Sequence, residues 1–184
     1  MSTDPTIEMQ NELGKLVPNL RAFARSLSGN ADHADDLVQE TLVKAWKHRS
    51  SFAPGSNLKA WLFTILRNAF LSERRKRKLE VEDKDGVFAG RMSVHGEQLG
   101  HMDMVDFIKA LNTLPPDQKE ALLLIGAEGF SYEEAALMCG CAVGTIKSRV
   151  NRARVRLAEV LNVNGAADYG PDQFPSDRAR VQLA

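Results

Sequence analysis

The sequence predicts an all-α protein built as two small helical domains joined by a flexible linker. Three observations carry that expectation. Apolar residues recur at three- and four-residue spacing in both halves of the chain, the repeat of a helix with one buried face. No alternating strand pattern appears in the N-terminal half. Between the halves, residues 79–104 lose the periodicity, gather Gly86, Gly90, Gly96 and Gly100, and turn acidic, as an interdomain linker does. At 184 residues, 43% apolar and 26% charged, the chain suits one ordinary domain or two small ones and can bury a core.

In the first domain, residues 1–78, Leu20, Phe23, Ala24 and Leu27 mark a helix that ends near Ser28-Gly29-Asn30, with Pro18 starting or kinking it. Asp32 and the acids after it open a second helix. There Leu37, Val38, Thr41, Leu42, Ala45 and Trp46 form one wide apolar stripe, while Asp35, Asp36, Gln39, Glu40, Val43 and Lys44 look elsewhere. Ser50 to Asn57 is loop chemistry, in which Ser56 or Asn57 can cap the next helix. That third helix, Leu58 to Lys78, places Leu58, Leu62, Ile65 and Ala69 on its core face. Thr64, Arg67 and Leu71 face away, with Trp61 and Asn68 on the border.

Beyond the linker, Val105 to Asn112 forms a short helix stopped by Leu114-Pro115-Pro116, and Asp117 to Ala127 forms another, capped by Asp117 and ended near Gly129. Ser131-Tyr132-Glu133-Glu134 is a capping box opening a helix with Ala135, Ala136 and Met138 on its apolar side. Cys139-Gly140-Cys141 makes the turn, and a last helix runs from Val143 to Val160. A short helix, a glycine-containing turn and a longer basic helix are the helix-turn-helix arrangement, which defines the second domain, residues 105–161. Residues 162–184 carry Gly165, Gly170, Pro171 and Pro175 and are expected to be a flexible tail.

Composition narrows the functional classes. The two cysteines stand one residue apart, too few for a disulfide framework or a cysteine zinc site, so a reducing cytoplasm fits best. Met1 to Leu20 lacks the basic start and apolar run of a signal peptide, and the longest apolar stretches fall far short of the ~20 residues of a membrane span. Neither export nor a membrane partner is expected. The net charge of zero is misleading, because residues 1–78 hold 13 basic and 8 acidic residues while 79–104 hold 2 and 6. Within the second domain, Lys147, Arg149, Arg152 and Arg154 follow one another without an acid, after Glu120, Glu128, Glu133 and Glu134. Local basic stripes on a neutral chain can grip phosphate in chosen places.

On the last helix Ile146, Val150, Ala153 and Leu157 define the buried stripe, so Ser148, Asn151, Arg152 and Val155 lie opposite. Lys147 and Arg154 line one flank of that outward face, and Arg149 and Arg156 the other. Base readers in the centre and phosphate holders at the sides suit a helix laid in a major groove. Asn151 and Arg152 are the expected base readers, since Asn pairs two-pointed with adenine and Arg with guanine. In the first domain, Phe52, Trp61, Phe63 and Phe70 interleave with Lys59, Arg67 and the Glu73 to Lys78 cluster. Aromatic faces beside cations suit unpaired bases, although core packing also accounts for the aromatics and the helix dipole for the cations.

Asp32, Asp35, Asp36 and Glu40 could be imagined as a metal site, yet no helical histidine pair accompanies them, and a docking or solvated face is preferred. Cys139 and Cys141 could form a redox pair, but small buried cysteines in a turn are the preferred account. No phosphate loop, nucleophile elbow or zinc motif occurs, so neither a cofactor nor catalysis is expected. A stand-alone helix-turn-helix regulator with an N-terminal dimerisation or sensing domain remains an alternative. So, more remotely, does an enzyme using Asp35, Asp36 and Glu40.

Four ordered motifs carry a family resemblance. They are Asp35 to Trp46 (DDLVQETLVKAW), Lys59 to Asn68 (KAWLFTILRN), Ser131 to Ala136 (SYEEAA) and Val143 to Val150 (VGTIKSRV). Together they resemble bacterial sigma factors of the extracytoplasmic-function class, over about Leu13 to Leu161. Leu114-Pro115-Pro116, Ile125 to Phe130 and the neutral charge resemble the EcfG-like subgroup of the general stress response. The resemblance implies docking of Asp35, Asp36, Gln39, Glu40, Val43 and Lys44 on the clamp helices of the largest subunit of core RNA polymerase. It implies that Phe52, Ser56, Asn57, Lys59, Trp61, Thr64, Arg67, Asn68, Arg74 and Arg75 open and hold the promoter's proximal (−10) element. Thr145, Lys147, Ser148, Arg149, Asn151, Arg152, Arg154 and Arg156 would read the distal (−35) element as duplex. The linker would thread the polymerase's RNA exit path. A NepR-like anti-sigma factor, released by a PhyR-like regulator, is the implied control. Residues 79–104 and the tail carry no motif of the family.

Overall fold

The computed structural model describes residues 5–53, 55–82 and 100–161. The expected tail and most of the expected linker lie outside these residues. Among the described residues every regular element is helical, and they gather into two lobes.

Helix α1, Pro5–Ser28, runs well N-terminal of the expected start, with Pro18 inside it. Proline in a helix interior costs about 3 kcal/mol through its missing N–H and its ring clash. Leu13 on one side and Leu20, Phe23 and Ala24 on the other are buried, and Leu16 and Val17 are partly so. Each such burial contributes about 1.5–3 kcal/mol, so the apolar stripe outweighs the proline. Gly29 (φ +69°) ends α1 in the left-handed conformation that its lack of a Cβ permits. Asn30 then caps α2, Ala31–Lys47, its side-chain oxygen accepting the His33 N–H at 2.8 Å. The buried face of α2 is Ala34, Leu37, Val38, Thr41 and Ala45, with Leu42 and Trp46 half-buried, as the stripe predicts. The Thr41 hydroxyl, fully buried, donates to the Leu37 carbonyl at 2.7 Å and leaves no polar atom unpaired.

After a 3₁₀ turn at Arg49–Ser51, Asn57 caps α3, Leu58–Glu82, by accepting the Ala60 N–H at 3.1 Å. Leu62 and Ala69 are buried as expected, but Leu58 and Ile65 are only half-buried, while Phe63 and Leu66 are fully buried. The core face is therefore rotated toward Phe63, because the second lobe covers that flank of the helix.

The second lobe begins with α4, Gly100–Asn112. Helix α3 thus runs past the expected end at Lys78 to Glu82, and α4 starts at Gly100, ahead of the expected Val105. Helix α5, Pro116–Leu122, starts with Pro116 in its first turn, where a missing N–H is harmless. Asp117 does not cap it; Pro115 holds that position and the Asp117 carboxylate instead meets Arg149 at 3.1 Å. A π-helical turn, Leu123–Ala127, comes next and closes with the Glu128 N–H on the Leu123 carbonyl at 3.0 Å. With Gly129 at φ +72°, it turns Phe130 into the core. Helix α6, Tyr132–Cys139, opens on the predicted capping box. The Ser131 hydroxyl accepts the Glu134 N–H and the Glu134 carboxylate accepts the Ser131 N–H. Gly140 (φ +62°) makes the turn into α7, Val143–Val160, which buries Ile146, Val150, Ala153 and Leu157.

The lobes pack on each other, α3 against α6 and α1 against α5. Phe63 bridges them: its ring lies 5.0 Å from Phe23 in its own lobe and 5.1 Å, edge-on, from Phe130 in the other.

Candidate nucleic-acid interface

Helix α7 presents the face that its sequence dictates. Lys147, Asn151, Arg152, Val155 and Arg156 are exposed, and Thr145, Ser148 and Arg154 are partly so. Arg152 folds back along the helix, donating to the Ser148 carbonyl (3.2 Å) and hydroxyl (3.0 Å), so its fork is held over the centre of the face. Lys147 sits 5.6 Å from the Tyr132 ring, which steadies one flank by cation–π attraction. Arg149 does not join this face. It turns inward to Asp117 and toward the Cys141 sulfur. Val155, 43% exposed, is an apolar group amid the polar side chains of this face.

The first-lobe residues divide into two stripes. At about 100° per residue, Trp61, Thr64, Asn68 and Arg75 share one side of α3, and Lys59, Phe63, Arg67, Phe70 and Arg74 another. Phe52 in the preceding loop stacks toward Trp61, ring centroids 5.2 Å apart, which joins the loop to the first stripe. Ser56 and Asn57, both exposed, shape that loop: the Ser56 hydroxyl donates to the Ala53 carbonyl at 2.7 Å while Asn57 caps the helix. Gly55, at φ +81°, makes the bend possible.

The second stripe faces the other lobe. Arg67 makes a two-point ion pair with Glu120, Nε to Oε1 at 2.7 Å and the second nitrogen to Oε2 at 3.3 Å, both side chains largely buried. Burial alone would lower the Arg67 guanidinium, but the charge and hydrogen bonds of Glu120 raise it above its ordinary value. Lys59 reaches both the Glu128 carboxylate (3.0 Å) and its backbone carbonyl (2.6 Å), and lies 5.0 Å from the Phe130 ring. Asn57 donates to Glu134 at 2.6 Å. The Ser131 N–H, then Asn57 and Lys59, hold the Glu134 carboxyl below the usual range against the opposing effect of burial. Arg74 lines a cleft of about 510 Å³ between the lobes, with Arg67, Leu27, Phe70, Lys119 and Cys139. Desolvation pushes the Cys139 thiol up to about 12, with Glu120 adding to it, which suits a packed rather than a reactive cysteine.

On α2, Asp36, Gln39, Glu40 and Val43 are exposed, Val43 at 68%. Lys44 pairs with Glu40 at 2.6 Å, and Asp35 is engaged by Arg21 of α1. Among the described residues no group of three acidic, histidine or cysteine side chains is placed to hold a metal ion, and no helix is long and apolar enough to cross a membrane. Sequence reasoning did not single out Glu120, Glu128 and Glu134 as partners of the first-lobe cations. The acid-then-base order of the second half was their only trace.

Comparison with known proteins places this geometry. Residues 14–80 match the sigma-70 region 2 family and residues 104–157 the sigma-70 region 4 family. The two lobes are thus the two promoter-recognition modules of a sigma factor. The chain belongs to the extracytoplasmic-function class of RNA polymerase sigma factors, which direct promoter-specific transcription initiation. It is 60% identical over 167 residues to the ECF RNA polymerase sigma factor EcfG of Rhodopseudomonas palustris, covering 91% of this chain and 92% of that one. It is likewise 60% identical, with a TM-score of 0.80, to the sigma factor RpoE of Bartonella quintana, solved in complex with the anti-sigma factor NepR; 85% of this chain and 98% of that one are covered. A more distant solved relative is CnrH in complex with the cytosolic domain of CnrY, at 26% identity and a TM-score of 0.60, covering 84% and 90%.

Proposed function

We propose that the two lobes divide promoter recognition between a melted strand and a duplex while α2 holds the polymerase. Phe52, Trp61, Thr64, Asn68 and Arg75, with Ser56 and Asn57 in the loop, take the unpaired strand of the proximal element. Lys59, Arg67 and Arg74 join them on its backbone. An unpaired base caught in the loop leaves the stack, and the melted state is then favoured by binding energy without nucleotide hydrolysis or any catalytic step. Helix α7 reads the distal element: Asn151 and Arg152 on base edges, Lys147, Arg154 and Arg156 on phosphates, with Thr145 and Ser148 beside them. Arg149 contributes only by leaving Asp117. The exposed row Asp36, Gln39, Glu40 and Val43, flanked by Asp35 and Lys44, docks on the clamp helices of the polymerase's largest subunit.

The observation that carries this reading is the pairing of an aromatic and polar stripe on α3 with a basic outward face on α7 in one chain. Similarity to EcfG and to an RpoE solved with NepR supports a place in the cytoplasmic general stress response. A NepR-like anti-sigma factor would hold the chain, and a PhyR-like regulator would release it. Run-off transcription with core polymerase on a promoter library tests the proposal. Transcripts should start downstream of a shared pair of elements, and Val43→Asp should remove them with the fold intact. Transcription indifferent to the chain would refute it.

A further inference from the structure

Three carboxylates of the second lobe meet first-lobe residues assigned above to the promoter strand. Glu120 meets Arg67, Glu128 meets Lys59, and Glu134 meets Asn57. Each partner belongs to the strand-binding set of the first lobe, and the acids come from three separate places: α5, the turn after the π-helical segment, and the capping box of α6. The Glu128 side chain, only 5% exposed, is enclosed by Lys59 and by Asn19 of α1 at 3.3 Å, so the first lobe grips it from two sides.

From these contacts we propose that Glu120, Glu128 and Glu134 form an intramolecular latch that imitates the phosphate backbone, so that the closed chain cannot use Lys59, Arg67 and Asn57 on DNA. The inference rests on the strand-binding role given to those residues above and adds their regulation. Physical chemistry makes the latch reversible. A buried ion pair gains about as much from its partner as it loses in hydration, so Arg67–Glu120 sets the register of closure more than its strength. When the lobes part, both members return to water together and neither is stranded. A polyanion offered in place of the three glutamates presents the same charge to the same donors and competes with closure directly.

Competition has an arithmetic. If only a fraction f of molecules is open, the apparent dissociation constant for strand is the intrinsic one divided by f, so a chain about 90% closed binds about tenfold more weakly than an open one. Removing the anionic charge should recover that factor.

The test uses the full chain and a fluorescein-labelled 12-nucleotide single-stranded DNA pool of randomised sequence, read by anisotropy. The loosened variant is Glu128→Gln with Glu134→Gln; glutamine keeps the capping box, so α6 keeps its start. Opening is read independently by the alkylation rate of Cys139 in a Cys141→Ser background, with circular dichroism confirming the fold. The latch predicts a rise of about tenfold in affinity together with faster Cys139 alkylation. Unchanged affinity and unchanged alkylation overturn it. If Cys139 becomes faster but the strand affinity of the loosened protein ignores Lys59→Ala and Arg67→Ala, the strand-binding reading fails. The occlusion then falls with it, while the contact between the lobes stands.

Discussion

Arg67 of α3 and Glu120 of α5, 53 residues apart in sequence, face each other across the two lobes in a two-point ion pair of 2.7 and 3.3 Å. One partner is a residue proposed above to hold the promoter strand and the other an acid of the region 4 module. On that proposal, the closed arrangement and promoter recognition draw on the same side chain. Apolar contact joins the lobes as well, since Phe130 (5% exposed) and Phe63 (1%) meet edge-on across them.

Phe130→Ala should cost about 3–5 kcal/mol of stability, because it leaves a cavity against Phe63 in addition to the lost burial. Leu137→Ala, at a side chain 84% exposed, should stay within about 0.5 kcal/mol. Urea midpoints compare the two. A Phe130→Ala protein as stable as Leu137→Ala would mean that the lobes do not share this contact in solution.

The capping box gives a pH signature. The Glu134 carboxyl lies below its ordinary value in the folded chain, chiefly through the Ser131 N–H. Its contribution is thus fully present above the unfolded carboxylate pKa and is lost as pH falls through the folded one. Glu134→Gln should flatten the acid limb of stability, and Ser131→Ala should cost about 0.5–2 kcal/mol at neutral pH. An acid limb identical in wild type and Glu134→Gln would contradict the capping geometry.

Cys139, with its thiol pushed up to about 12, carries almost no thiolate at pH ~8. In a Cys141→Ser background, iodoacetamide should label it far more slowly than the same cysteine in the urea-unfolded chain. Labelling at the unfolded rate would show that the cleft is open.

On α7 two substitutions separate readout from charge. Arg152→Ala should cost about 1–3 kcal/mol and relax preference at one position of the distal element, whereas Lys147→Ala should weaken all sequences alike and reduce the salt slope by about one. Binding titrations on a set of singly altered promoters, repeated at several salt concentrations, check both. Equal effects of the two variants on every sequence would overturn the angular assignment.

Local chemistry is legible in the sequence. The buried stripe Ile146, Val150, Ala153 and Leu157, the capping box at Ser131, the Gly140 turn and the Asn57 cap all depend on neighbours within one or two helical turns, and all are found. What escapes is set at long range. Helical period shows which residues share a face but not what covers it, so Phe63 stays open between core and strand contact, and Arg67 reads as an outward cation. Pro18 shows its local cost in the sequence, but not the burial of the apolar residues on both sides that anchors α1. Asp117 has the identity of a cap, yet Pro115 and Pro116 settle the helix start and leave its carboxylate to Arg149.

The central claim is that the first lobe seizes an unpaired promoter strand. Permanganate reactivity of thymines in a promoter bound by core polymerase and this chain tests it most directly. Reactive thymines are expected across the proximal element with the wild-type chain. They should be lost with a combined Asn57→Ala, Trp61→Ala and Arg75→Ala variant that still protects the distal element from nuclease. Thymines equally reactive with that variant would contradict the claim.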